Sequence, residues 1–126
     1  LFNYLPGQEW RTQKKVSELI TNHFKNTPDG LPGNDDTGTM SAWLIYSMMG
    51  LYPVSPAEAF YAVTAPVFDK ITIQLDGRYY NQNYLVIEKE GKGVIKQLKI
   101  GKEISKRFFI NHSELVQSKY LKISLE

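Results

Sequence analysis

At Gly50 the hydrophobic period of this chain changes from helical to alternating, and few folds accommodate both halves. Ahead of it, Val16, Leu19, Ile20, His23 and Phe24 recur at helical spacing, which predicts a helix over about 12–26 with His23 at the border of its buried stripe. A second helix is expected over about 39–49, where Met40, Ala42, Trp43, Leu44, Ile45, Tyr46, Met48 and Met49 leave no polar face and Gly50 supplies the stop. A helix that is apolar all round needs cover all round. A chain of 126 residues rarely provides it, so the pattern predicts that this helix packs inside a larger, helix-rich body. Beyond Gly50, Ser55-Pro56-Ala57-Glu58 has the form of a capping box opening a single helical turn. Strands are expected over 60–64, 71–75, 84–88, 94–100, 108–110 and 120–125, with Asp76-Gly77 as a two-residue hairpin signal leading to Arg78, Tyr79 and Tyr80. The fold class is therefore α+β, two helices followed by a small antiparallel β region. The division falls at 1–59 and 60–126, within one compact unit.

Charge narrows the partners. The net charge of +2 conceals a gradient: residues 1–69 carry four Lys/Arg against seven Asp/Glu, and residues 70–126 carry eleven against six. The basic half does not read as a nucleic-acid surface, because Lys89, Lys92, Lys96, Lys99, Lys102 and Lys106 alternate with Glu88, Glu90 and Glu103 as on solvated strand faces. There is no cysteine, which excludes disulfides and thiolate chemistry, and His23 and His112 make no zinc pattern. The longest apolar stretch, 40–49, is far short of the roughly 20 residues that span a bilayer, so no membrane span is expected. Leu1 in place of an initiator methionine, with no signal peptide behind it, leads us to expect a piece of a longer polypeptide.

The residues that carry chemistry lie in the loop before the second helix, 27–38, which reads TPDGLPGNDDTG. Gly30, Gly33 and Gly38 permit positive φ or close approach to a ligand, while Pro28 and Pro32 restrict the unfolded chain. Such a loop holds one shape, and what it presents is Asn34, Asp35 and Asp36. Their place just before a helix start favours ionised carboxylates. That suits a general base or a cation ligand. Trp10, beside Gln8 and Glu9, is the candidate sugar-stacking platform, with a core anchor as its alternative role.

The run GLPGNDDTGTMSAWLIYSMMGLYPVSP, with NYLPGQEWRTQ before it and APVFDKITIQLDGR after it, resembles the C-terminal part of glycoside hydrolase family 92, the calcium-dependent exo-acting α-mannosidases. The resemblance spans about residues 1–80. In the tail, Gln117-Ser118-Lys119 stands where a short glycine-rich approach to the last strand would be expected. The resemblance implies removal of terminal, most often α-1,2-linked, mannose from N-glycan-type substrates with inversion. It also implies helices that belong to an (α/α)6 barrel, and a secreted, periplasmic or cell-surface enzyme. Inversion needs a carboxylic acid on the leaving oxygen and a carboxylate that activates water, roughly 6.5–9.5 Å apart. Carried over by motif position, the base falls on Asp36, with Asp35 as the neighbouring candidate and Asn34 able to orient water or a sugar hydroxyl. The general acid is expected upstream in the same polypeptide. Calcium is expected in the full-length parent. Asp35 or Asp36 is a possible ligand, but these residues offer too few oxygens for a complete site. The alternative is a non-catalytic carbohydrate-binding module in which Trp10, Tyr79, Tyr80 and Tyr84 line one platform.

Overall fold

The structure, a computed structural model, describes residues 2–55 and 57–126. A short 3-10 turn at Phe2–Tyr4 leads into α1 (Glu9–His23), and a second at Asp36–Gly38 leads into α2 (Thr39–Met49). There follow β1 (Leu51–Pro53), β2 (Phe60–Val63), β3 (Lys70–Gln74), β4 (Tyr84–Glu90), β5 (Ile95–Ile100), β6 (Glu103–Ser105), β7 (Phe109–Asn111), α3 (His112–Ser118) and β8 (Tyr120–Leu125). The expected α+β order holds. Because Pro56 lies outside the described residues, the expected capping box is described only at its ends, where the Glu58 amide donates to the Ser55 carbonyl at 3.2 Å.

The strands form two sheets. One has the order β1-β2-β7, the other β3-β4-β8-β5-β6. Every pairing is antiparallel except β4 with β8, which run parallel with Ile87 beside Leu121 and Lys89 beside Ile123. Alternation along these strands sends Leu85, Ile87, Leu98, Ile100, Leu121 and Ile123 inward, where they meet Leu51, Val63, Ile110 and Leu115 in one core. The last strand is thus the centre of the larger sheet, and Leu121 and Ile123 are fully buried.

α1 begins three residues earlier than the periodicity predicts and stops at His23, because Phe24 turns extended. Its apolar stripe is only partly covered. Leu19 and His23 are exposed, and Gln13 is the buried residue, its side-chain oxygen accepting from the Ile95 amide at 2.9 Å and tying α1 to β5. Phe24 stacks on Trp43 of α2 at 5.6 Å between ring centroids.

α2 has the predicted bounds, and Gly50 caps it in the left-handed conformation (φ 77°), its amide donating to the Ser47 carbonyl at 3.1 Å. A Cβ at Gly50 would fall 2.6 Å from the Thr64 carbonyl oxygen. The expectation that α2 is buried on every side is not met within this chain. Only Ser47 is buried, Ile45 is 56% exposed and Tyr46 37%, because Phe24 and the β region cover the helix only in part.

The three-residue strands β1 and β6 were not expected, and two further elements differ from expectation for identifiable reasons. Asp76-Gly77 is not a two-residue hairpin. Gly77 is not among the glycines with positive φ, which the tight turn demands, and residues 78–80 form no strand. Instead the Asp76 carboxylate accepts from the Arg78 amide and guanidinium, and a longer loop closes where the Leu75 amide donates to the Asn83 carbonyl at 2.8 Å. α3 was not anticipated. Asn111 caps it, its side-chain oxygen accepting from the Ser113 amide at 2.9 Å, and Lys119 ends it at φ 61°.

Candidate active-site loop

Residues 25–41 are built from the backbone inward. The Lys25 amide donates to the Gly30 carbonyl and the Gly30 amide to the Thr27 carbonyl, both at 2.9 Å, closing the first half of the loop. Gly30 is required by its own chain and not by a ligand, since a Cβ there would lie 1.9 Å from the Lys25 carbonyl oxygen. Gly33 has neither a positive φ nor a tight neighbour. Gly38 is the glycine of the three that needs its freedom, at φ 81°, and Thr37 before it is held at φ 53°. Two successive left-handed residues, one of them β-branched, are a costly backbone for an L-residue chain, and such strain concentrates at functional sites. Here they turn the chain sharply between the paired aspartates and α2.

The two aspartates have different work. Asp35 faces the start of α2: one carboxylate oxygen accepts from the Ser41 amide at 2.9 Å, and the other accepts the Ser41 hydroxyl. It satisfies an amide that the helix N-terminus leaves without an intrahelical partner. The Ser41 hydroxyl, followed by the backbone amides of Ser41 and Met40, holds the Asp35 carboxyl below the usual carboxylate range, against a smaller opposing effect of burial. Asp36 uses its backbone, not its side chain: its carbonyl accepts the Thr37 hydroxyl at 2.7 Å and the Thr39 hydroxyl at 2.6 Å. Its carboxylate is exposed and has no hydrogen-bond or ion-pair partner among the described residues. Asn34 beside it is exposed as well.

Next to this turn lies an open depression of about 320 Å³ lined by Thr37, Gly38, Trp43, Tyr46, Tyr52 and Pro53 among others. Tyr46 and Tyr52 meet edge to face at 6.4 Å. Sequence reasoning treated Trp43 and Tyr46 only as core of an apolar helix and did not single out Tyr52. The signal that would have found them is the helical spacing Thr39, Trp43, Tyr46, which sets both rings on the face that continues from the loop.

Trp10 is placed elsewhere. It is 43% exposed, under the Arg11 guanidinium at 5.5 Å, and lines a separate depression of about 620 Å³ with Gln13, Ser17, Pro66, Lys89 and Val94. Tyr79, Tyr80 and Tyr84 line neither depression. The single aromatic platform expected for a binding module is therefore split. Among the described residues no three His, Cys, Asp or Glu side chains gather in a way that could hold a metal ion, and no carboxylate lines the depression itself, Asp36 being the residue just before its edge at Thr37.

Residues 1–126 match the model of the glycosyl hydrolase family 92 catalytic domain. An uncharacterized secreted glycosidase of Arthroderma benhamiae is 34% identical over 74 residues, which are 59% of this chain and 9% of that protein. A family GH92 α-mannosidase of Bacteroides thetaiotaomicron, solved also in complex with mannoimidazole, superposes with a TM-score of 0.81 at 27% identity over 98% of this chain. A GH92 inverting mannosidase of the same organism gives 0.80 at 28% identity over 95%. The chain spans 16% of the length of either solved enzyme.

Proposed function

Since the chain belongs to glycosyl hydrolase family 92, we propose that it forms the C-terminal part of an inverting exo-α-mannosidase, with Asp36 as the general base. The observation that carries the proposal is the division of labour in the loop. Of two adjacent carboxylates, Asp35 is consumed by the N-terminus of α2, while Asp36 is left exposed and unpaired on a strained turn whose next residues, Thr37 and Gly38, edge an aromatic-walled depression. A carboxylate free of donors can take a proton from water, whereas one already accepting two hydrogen bonds is a poorer acceptor. The water attacks the anomeric carbon from the face opposite the leaving oxygen. The acid that protonates that oxygen comes from the rest of the polypeptide, together with most of the sugar pocket. Asn34 orients the water or a sugar hydroxyl, and Trp43, Tyr46 and Tyr52 offer faces on which a pyranose ring can stack.

The exposed apolar side of α2 is the surface on which the preceding helices of an (α/α)6 barrel would pack. The substrate is a glycan with terminal mannose, α-1,2-linked in our reading and of N-glycan type. The Arthroderma relative is described as a secreted glycosidase, which favours export; among the described residues no helix is long and apolar enough to cross a membrane.

Calcium, which the family resemblance implies, finds no complete ligand set in these residues. Asp35 is engaged, and Asp36 with Asn34 offers too few oxygens for the six to eight that calcium takes.

The test follows the product. A polypeptide that joins this chain to the segment bearing the acid is predicted to release mannose as the β-anomer, read by proton NMR within the first minutes of hydrolysis. Release of the α-anomer, or of no mannose, overturns the proposal.

A further inference from the structure

Residues 79–84 read YYNQNY, nothing but tyrosine and side-chain amide, and the hydrolytic loop does not use them. They edge two clefts of about 260 Å³ each that share Asn81 and Gln82. One cleft adds Asn83, Tyr84 and Lys119; the other adds Tyr79, Tyr80 and Gln117 together with His112, Ser113 and Val116 of α3. Neither shares a residue with the depression beside Asp36.

Some groups of this segment are anchored while other side chains are left unpaired. The loop is closed by the Leu75 amide on the Asn83 carbonyl, and Asp76 is clamped by the Arg78 guanidinium. The Gln82 amide donates to the Val116 carbonyl of α3, and the Tyr80 hydroxyl lies 3.5 Å from His112 Nε2. Tyr79 is nevertheless 77% exposed and Tyr84 57%, and the side-chain amides of Asn81, Asn83 and Gln117 make no hydrogen bond among the described residues. A rigid frame that presents unpaired groups loses little conformational entropy on binding. Each amide offers two donors and a two-lone-pair acceptor, the match for vicinal hydroxyls, and tyrosine faces suit the C–H surface of a pyranose. Lys119 is the one charged residue lining either cleft, so an anionic ligand would find little complement.

We propose that the 76–84 loop and the C-terminal end of α3 form a second carbohydrate-binding site, selective for neutral oligosaccharide, that holds a glycan away from the Asp36 loop. The site needs no hydrolysis, so its failure is separable from that of the general-base assignment.

The experiment is an NMR titration of the ¹⁵N-labelled 126-residue chain with linear α-mannotriose and, separately, maltotriose. The side-chain amide signals of Asn81, Asn83 and Gln117 are expected to shift saturably with at least one sugar. Tyr79→Ala and Asn81→Ala are expected to weaken binding at least about tenfold with unchanged circular dichroism, and Asp36→Asn to leave it unaltered. Saturation by maltotriose alone supports a neutral-glycan site and speaks against mannose as its ligand. Absence of saturable shifts with both sugars, or equal affinity in the two loop variants, overturns the proposal.

Discussion

Asp35 and Asp36 show how adjacent identical side chains acquire opposite roles from the backbone that carries them. The turn at Thr37 and Gly38 points one carboxylate at the amides of α2 and leaves the other in solvent. For Asp35 the consequence is a stability that depends on pH. Its folded-state pKa lies below the unfolded value near 3.9, so its contribution is fully present above about pH 4 and is lost as pH falls through the lower folded value. Asp35→Asn should lower thermal stability at neutral pH and flatten the acid limb below about pH 4, measured by thermal melts across pH. The Tyr120 phenol behaves in the opposite sense. Its hydrogen bond to Glu88, at 2.7 Å, together with burial pushes it up to about 12. Its contribution is complete below about pH 10 and fades as pH rises from there towards 12. Burial also raises Tyr61, so ultraviolet titration of phenolate should show late-titrating tyrosines, and Tyr120→Phe should remove the part of the late amplitude near pH 12.

Among the elements, α2 and β8 were legible in the sequence because their pattern is strong and their ends are marked: Gly50 stops one, and strict alternation defines the other. α3 was hidden by its length of seven residues, too short for a period to register, although Asn111 followed by Glu114 is an N-terminal capping signature. Asn111→Ala should cost about 1 kcal/mol in urea denaturation. Asp76-Gly77 misled because the dipeptide signals a tight turn only when glycine takes positive φ, and here the Asp76 carboxylate folds back on Arg78 instead. Lys119 resolves the departure at 117–119: it occupies, at φ 61°, a position that glycine would take without steric cost. Lys119→Gly should stabilise the fold by about 1 kcal/mol, less whatever glycine loses in unfolded-state entropy. Within the site, the paired aspartates were legible as a motif, but which one is free was not, because that depends on a hydrogen bond to Ser41 across the left-handed turn. Trp43, Tyr46 and Tyr52 were missed for a related reason, since an apolar residue on a helix reads as core until its neighbours are known.

At the scale of the whole molecule, the β region is self-sufficient and the helical part is not. The buried core joins both sheets and α3, whereas α1 and α2 each contribute a single buried residue, Gln13 and Ser47, and both are polar. Helices that bury so little of their apolar surface leave an apolar face open in this chain, which spans about a sixth of its solved relatives. On the proposed mechanism the isolated chain should fold through its sheets yet release no mannose from α-mannosides, since that mechanism places outside it the acid whose proton transfer is worth roughly 10²- to 10⁴-fold. The central claim, that Asp36 and not Asp35 activates the water, is tested most directly by turnover and substrate affinity of Asp36→Asn and Asp35→Asn in the polypeptide that carries the acid. The account predicts that Asp36→Asn lowers kcat by at least about 10²-fold with affinity retained, while Asp35→Asn chiefly lowers the melting temperature. Near-normal turnover in Asp36→Asn, with activity abolished in a folded Asp35→Asn, would contradict it.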